Sequence, residues 1–437
     1  MKLINLISLG CPKNLVDSEA VLGILTSAGY MATPSPEDAE IILINTCGFI
    51  EPAVKEAIAT ILECLELKVK GHCRCVIVMG CLVARYGEKQ LSHLLPEVDG
   101  WLGVDAASIV LPYLESILAG EKELTQVREE PEVYPRLLST SSYTAYLKIA
   151  EGCSHACSYC LIPQIRGPLK SRSPEAIYQE AVQLAACGVK EVILVAQDTG
   201  AYGRDLPGRP SLAGLLKELC KINDFHWIRF LYLNPYALTG EIISIMQNEP
   251  KICHYLDLPM QHVNRGILRK MGRRGDAFSY LQLVKRLREL IPDLVLRTTL
   301  MVGYPGEDEK AFQELCAFVD LAELDRLGVF PYYHEEGARS FRYTETVSYI
   351  EKRRRVRDIL HLQRMVSRSN NREQVGRTLE VLIEKKIGEG VWWGRSYRDV
   401  PEIDPRIIVK GQDLHPGNFV QVQITHASSY DLIGIVK

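Results

Sequence analysis

Glu151-Gly152-Cys153-Ser154-His155-Ala156-Cys157-Ser158-Tyr159-Cys160 places three cysteines at C-x3-C-x2-C spacing. The stretch follows a short apolar run at 145–149 that reads as a strand, so the thiols lie in a loop at a strand end. Three thiolates this close can hold three corners of a 4Fe-4S cube and leave the fourth iron without a protein ligand. A zinc site and three incidental cysteines are the competing readings. Structural zinc usually takes four ligands, paired as C-x2-C. His155 could complete such a set, but it sits between two of the cysteines and cannot easily face the same metal.

Outward from this loop, strand-like runs recur at 145–149, 191–196, 227–232, 255–258, 294–301 and 326–332, separated by helical stretches. Six parallel strands of this kind predict an open or partial (β/α) barrel spanning 143–370, with functional residues at the carboxyl ends of the strands. A long helix from 350 to about 371, rich in Lys and Arg, closes the region. Upstream, residues 1–127 alternate short apolar runs at 4–9, 41–45 and 75–79 with helical spacing at 17–28 and 52–67. That pattern predicts a small α/β domain on a parallel sheet. Residues 128–142, with Pro131, Pro135 and a Ser-Thr-Ser-Ser run, read as a linker. Downstream, 372–437 holds short strands at 381–383, 390–394, 407–409, 419–424 and 432–436, the pattern of a small antiparallel β-barrel that presents a binding face.

Composition narrows the function classes. The chain has 437 residues, 51 Lys plus Arg and 54 Asp plus Glu, for a net charge of −3, which argues against a protein-wide nucleic-acid field. No apolar run reaches membrane-spanning length. The N-terminal apolar stretch is short, lacks a small-residue cleavage site and runs into Cys11-Pro12-Lys13-Asn14, so it reads as a buried strand of a cytoplasmic protein. The 13 cysteines are odd in number and unevenly spaced, which favours metal or cluster ligation over a disulfide framework.

With its cysteine loop and the continuation Cys160-Leu161-Ile162-Pro163-Gln164-Ile165-Arg166-Gly167-Pro168, the sequence resembles the radical S-adenosylmethionine (SAM) superfamily, and its methylthiotransferase branch over nearly the whole chain. The resemblance implies SAM bound at the open iron and split by one electron to a 5′-deoxyadenosyl radical. It implies SAM contacts at Gln197 and Asp198, at the end of the 191–196 run, and at Gly303 and Gly306 in Thr298-Thr299-Leu300-Met301-Val302-Gly303-Tyr304-Pro305-Gly306-Glu307. The two glycines would let backbone approach the ligand closely. An electron donor such as flavodoxin or ferredoxin and a monomeric enzyme go with it.

Cys11, Cys47 and Cys81 form a second set. Each follows a predicted strand of the first region and each abuts a glycine. Successive strand ends of a parallel sheet lie on one edge, so these thiols should converge although far apart in sequence. Three buried free cysteines are the plain alternative. The methylthiotransferase branch places an auxiliary 4Fe-4S cluster on this pattern, where an open iron can present sulfide. Cys64, Cys73 and Cys75 are read as packing residues despite the His72-Cys73-Arg74-Cys75 run, and Cys187, Cys220, Cys253 and Cys316 as core or helix-end residues.

The branch modifies either an aspartate of ribosomal protein uS12 of the small subunit or an adenosine of tRNA. Pro12-Lys13-Asn14 after the first cysteine, and the run from Gly394 to Asp404, resemble the ribosomal-protein members. From Asn371 on, nine basic residues balance nine acidic ones, whereas an RNA-dedicated barrel should be basic. A basic ribosomal protein suits that neutral face. Lys352-Arg353-Arg354-Arg355-Val356-Arg357 is read as a solvated helix face. Of Trp392 and Trp393, alternation should turn one inward as core and leave the other outward.

Overall fold

The computed structural model describes residues 2–120 and 133–437. The first domain is built on five parallel strands, β1 (Leu3–Ser8), β2 (Met31–Ala32), β3 (Ile41–Thr46), β4 (Cys75–Gly80) and β5 (Gly100–Leu102), in the order β2-β1-β3-β4-β5. The expected runs are β1, β3 and β4. β3 and β4 are buried along their whole length, as central strands with helices on both faces must be. Ile42, Ile44, Val76 and Val78 pack on one face, and Leu43, Ile77 and Met79 on the other. β2 and β5 are too short for a periodicity to show.

The central region comprises β6 (Thr144–Lys148), a small hairpin of β7 (Ala150–Glu151) and β8 (Lys170–Ser171), then β9 (Glu191–Val195), β10 (Trp227–Phe230), β11 (Tyr255–Asp257), β12 (Val295–Val302) and β13 (Arg326–Pro331). β10-β9-β6 and β11-β12-β13 are parallel three-stranded sheets. They meet where Leu233 N donates to Asp257 O at 3.0 Å and Ile228 bridges Ile252, giving one arc of six strands.

The last region, β14 (Thr378–Gly388), β15 (Val391–Arg395), β16 (Ile407–Lys410), β17 (Phe419–Ala427) and β18 (Leu432–Val436), closes into a barrel in the order β14-β15-β16-β18-β17. The expectation of an antiparallel barrel needs one correction, because β16 and β18 pair in parallel. Parity requires it: around a closed ring, an odd number of strands cannot alternate in direction at every step. Trp392 faces the barrel core, while Trp393 faces outward between Lys385 and Arg406, as alternation demands.

Three segments bury charged side chains. In the run 394–404, Arg395, Ser396, Arg398, Asp399 and Val400 are buried in the base of the six-stranded arc. Arg395 reaches Glu191 at 2.6 Å, Arg326 reaches Asp399 at 2.6 Å and Tyr255 OH donates to Asp404 at 2.6 Å. The basic run on the helix Tyr349–Arg372 is only partly a solvated face, since Lys352 and Arg355 are buried. Arg355 pairs with Glu307 at 2.7 Å, and Lys352 donates to Tyr332 O at 3.0 Å. Pro131 and the start of the expected linker lie outside the described residues. Its described part, 133–142, is irregular yet anchored: buried Arg136 pairs with Glu19 and with Glu180, and a Cβ on Gly23 would stand 2.1 Å from Pro135 O. Among the described residues no helix is long and apolar enough to cross a membrane.

Candidate active site

Cys11, Cys47 and Cys81 converge on the carboxyl edge of the first sheet. Cys11 caps the helix Pro12–Ser27, Cys47 follows β3, and Cys81 begins the helix Cys81–Tyr86 directly after β4. The adjacent glycines allow the approach. Gly10 has φ +93°, and a Cβ there would stand 2.8 Å from Cys47 Cβ; a Cβ on Gly48 would meet Cys81 O at 2.8 Å. Side chains are impossible at such distances, so the strand ends close together only because these positions have none.

Buried Asn14, which sequence reasoning quoted but gave no role, is the hub of this edge. Its Nδ2 donates to Leu9 O at 2.9 Å and Thr46 O at 3.0 Å, tying the ends of β1 and β3. Its Oδ1 faces Cys81 Sγ at 3.8 Å and Cys11 Sγ at 4.0 Å. Burial raises the Cys81 thiol to about 11 against the pull of Arg166. Burial also acts on Cys11, but Lys13, Arg166 and the helix amides outweigh it and hold that thiol below its ordinary value.

The second trio lies in the loop closed by β7 and β8, which pair antiparallel. Cys153 N donates to Gly167 O at 3.1 Å. His155 N points at Cys153 Sγ and Ile162 N at Cys160 Sγ, both at 3.4 Å, and Arg273 Nη1 lies 3.8 Å from Cys157 Sγ. These donors suit sulfur that carries negative charge. Burial raises the Cys160 thiol to about 12, opposed by the Ile162 amide and Arg273. Ser158 pins the loop to the barrel through Tyr304 OH at 2.7 Å and Lys270 O at 2.9 Å. Among the described residues no three His, Cys, Asp or Glu side chains close to single-ion range.

The edge that carries the first trio meets the continuation of the cysteine loop across the domain junction. Cys81 packs with Leu161 and Ile165 of the cysteine-loop continuation. Arg166, from the same continuation, donates its Nε–H to Cys81 Sγ at 3.2 Å and bonds Asn14 Oδ1 through Nη2. Its Nη1 pairs with Glu151 at 2.8 Å and Asp17 at 3.3 Å, and Lys148 pairs with the same two carboxylates. A second clasp joins the domains where Glu335 accepts from Arg85 at 2.8 Å and from Glu51 N at 2.6 Å. Arg166 and Glu151 adjoin the cysteine loop in sequence, which is the signal that points to them; nothing in the sequence pattern marks Glu335.

The four residues expected at SAM surround this loop but have protein partners. Gln197 Nε2 donates to Glu151 at 2.6 Å, and its buried Oε1 has no partner. Asp198 accepts from Gly200 N at 3.0 Å and Asn234 N at 3.2 Å, and its other oxygen meets His155 Nε2 at 2.6 Å. Asp198 therefore positions the cysteine loop. Gly303 and Gly306 adopt φ of +76° and +88°, and a Cβ would strike the Lys352 and Lys270 side chains at 2.3 and 2.2 Å. Their nearest neighbours are these lysines, and Glu307 holds the turn by accepting from Gly303 N at 2.7 Å. Cys64, Cys73 and Cys75 are buried away from either trio in the first domain's core.

Three family models match the chain: an uncharacterized protein family, UPF0004, over residues 3–103, the radical SAM superfamily over 147–319 and the TRAM domain over 375–436. The chain is similar to the ribosomal protein uS12 methylthiotransferase RimO of Pelotomaculum thermopropionicum, at 44% identity over 99% of this chain and 98% of that protein. The protein of that name from Geobacter sulfurreducens gives the same figures, 44%, 99% and 98%. That of Syntrophus aciditrophicus is 45% identical, with 99% and 98% covered. In fold it is similar to the radical SAM methyltransferase TsrM of Kitasatospora setae with tryptophan and aza-SAM bound. That match has a TM-score of 0.56 at 12% identity and covers 92% of this chain and 80% of that one.

Proposed function

Because the chain belongs to the family of ribosomal protein uS12 methylthiotransferases, we propose that it adds a methylthio group to the β-carbon of an aspartate of uS12, using SAM for both radical generation and methylation. Radical SAM proteins carry a 4Fe-4S cluster and use SAM. Cys153, Cys157 and Cys160 would hold that cluster, and Cys11, Cys47 and Cys81 a second one of the same kind. When bound, these groups supply one-electron chemistry on SAM and a carrier for the sulfur to be inserted.

The observation that carries this reading is the contact of Cys81 of the first trio with the segment that continues the second trio's loop, through Arg166 and the packing of Cys81 on Leu161 and Ile165. Transfer of sulfur to a C–H bond opened by a radical requires both centres beside one substrate atom. Asn14 and the glycines hold the first trio together, and the β7–β8 hairpin, Arg273 and Asp198 orient the second. Gln197, with its unpartnered buried oxygen, is the polar group here best placed to meet the methionine part of SAM. Gly303 and Gly306 shape the neighbouring turn on the adenine side. Reduction comes from an external donor of flavodoxin or ferredoxin type, because SAM cleavage consumes an electron that no side chain here supplies.

The test is mass spectrometry of small-subunit ribosomal proteins and of tRNA nucleosides after incubation with the reconstituted enzyme, SAM and reductant. Methylthio on a uS12 aspartate is expected. Methylthio on a tRNA adenosine, with uS12 unchanged, would overturn the substrate while leaving the chemistry.

A further inference from the structure

Two residues beyond Cys11, the side chain of Lys13 points out of the first domain into the junction. Lys13 is only 8% exposed, and its ammonium lies 4.0 Å from the centroid of the Tyr232 ring. Among the described residues this ammonium has no hydrogen-bond or ion-pair partner; the Tyr232 ring lies against it, and the Cys11 thiol and, more weakly, the Glu151 carboxylate are the negative groups that act on it. A cation–π contact contributes roughly 0.5–2 kcal/mol, less than the several kcal/mol that burying an ammonium costs. A buried cation left in this state fits a site whose anion arrives from outside.

Local charge points the same way. Three cations, Lys13, Lys148 and Arg166, stand at the junction with two carboxylates, Asp17 and Glu151. Lys148 and Arg166 engage both carboxylates, and Gln197 also bonds Glu151, so neither acid forms an ion pair with Lys13. Tyr232 belongs to the barrel mouth. It follows β10 in a left-handed conformation, φ +60°, unusual for a bulky residue and fixed by its N–H to Asp257 at 3.0 Å. Its carbonyl accepts from Thr199 N at 3.2 Å, next to the Asp198 that holds His155 of the cysteine loop. Lys13 thus stands between the Cys11 edge and the loop of the second trio.

We propose that Lys13 binds the side-chain carboxylate of the substrate aspartate and so holds its β-carbon between the two cysteine trios. This rests on the uS12 aspartate reading above. A charge-assisted bond to an ammonium rewards a carboxylate and not the neutral amide of the same shape. It also offers nothing to a neutral adenine, so the residue selects the substrate class as well as positioning the reacting carbon.

The experiment measures binding of two uS12 peptides, one with the modified aspartate and one with asparagine in its place, to the full-length enzyme carrying both clusters and saturated with SAM. Wild type should prefer the aspartate peptide about tenfold or more. Lys13→Met should bring the two to parity by weakening the aspartate peptide alone, and Lys13→Arg should restore the preference. The peptide comparison needs no enzyme variant, so it stands even where Lys13→Met fails to load its clusters, which iron content reports. Equal binding of both peptides by wild type that modifies uS12 overturns the role of Lys13 alone. An intact preference in cluster-loaded Lys13→Met overturns it too. If that variant instead loses affinity for SAM, the carboxylate is that of SAM, and if it shifts only the potential of the auxiliary cluster, Lys13 balances cluster charge; either result ends the aspartate assignment. Modification of tRNA adenosine and not uS12 removes the parent reading and this one with it.

Discussion

Arg166 donates its Nε–H to Cys81 Sγ at 3.2 Å, although Arg166 belongs to the cysteine loop of the barrel and Cys81 to the sheet edge of the first domain. The same guanidinium bonds Asn14, Glu151 and Asp17. One planar fork therefore ties the sheet edge that carries the first trio to the loop that carries the second.

Arg166→Met should destabilise the protein. The arginine side chain is 1% exposed, and its loss leaves Lys148 alone against two half-buried carboxylates. Removing one partner of a buried pair costs about 3–5 kcal/mol. A cation beside Cys81 also favours the more negative, reduced form of a cluster bound there, so the variant should lower the potential of the auxiliary cluster. Thermal melting and an EPR-monitored redox titration check the two effects. An unchanged potential would show that the contact is structural only.

Single cysteine replacements should separate the two centres. Cys157→Ala should abolish 5′-deoxyadenosine formation. Cys47→Ala should keep SAM cleavage, lose the methylthio product and lose about half of the iron if the clusters are alike. Full product from Cys47→Ala would mean that Cys11, Cys47 and Cys81 only pack.

Gly152→Ala and Gly167→Ala form a matched pair on the cysteine loop. Both glycines have positive φ, +68° and +74°. A Cβ on Gly152 would stand 2.1 Å from Pro168 O, which is backbone and cannot step aside, whereas a Cβ on Gly167 meets open space. Gly167→Ala should cost only the left-handed strain, about 1–2 kcal/mol, and keep its iron. Gly152→Ala should displace Cys153 and match the iron content of Cys157→Ala. Equal iron in the two glycine variants would refute the packing argument.

Acid should undock the terminal barrel from the arc through Glu191. Burial alone would raise this carboxyl, but Arg395 and Arg229 outweigh it and hold it below its ordinary value of 4.5. A carboxylate depressed in the folded state contributes stability above its unfolded value, and that contribution is lost as pH falls through the folded value. Stability should therefore be level from neutral pH to about 5 and fall at lower pH. Glu191→Gln should be less stable at pH 7 and show a shallower acid slope, as denaturant titrations across pH would record. An identical slope would place the acid sensitivity elsewhere.

Much of this was legible in order along the chain. C-x3-C-x2-C and the runs that became β6, β9, β10, β11, β12 and β13 carry local information, because burial on both faces of a parallel strand demands continuous apolar residues. The convergence of Cys11, Cys47 and Cys81 followed from parallel topology, since each thiol ends a strand. The segment read differently is the basic run 352–357, whose charges gave no hint of burial. Arg355 finds its counter-charge in a distant element at Glu307, as Arg395 and Arg398 find theirs at Glu191 and Asp325.

By itself, then, the sequence determined the three architectures, the two thiol trios and the class of chemistry, because strand periodicity and ligand spacing are properties of neighbouring residues. Only the tertiary structure decided that Arg166 joins the cysteine loop to Cys81, that Asp198 orients the cysteine loop, that 394–404 plugs the arc and that Lys13 faces the junction against the Tyr232 ring. Each of these depends on which charge meets which across domains. A buried charge is set by its nearest opposite charge in space, and residues more than a hundred positions apart, such as Asp17 and Arg166, become nearest neighbours only when the domains dock.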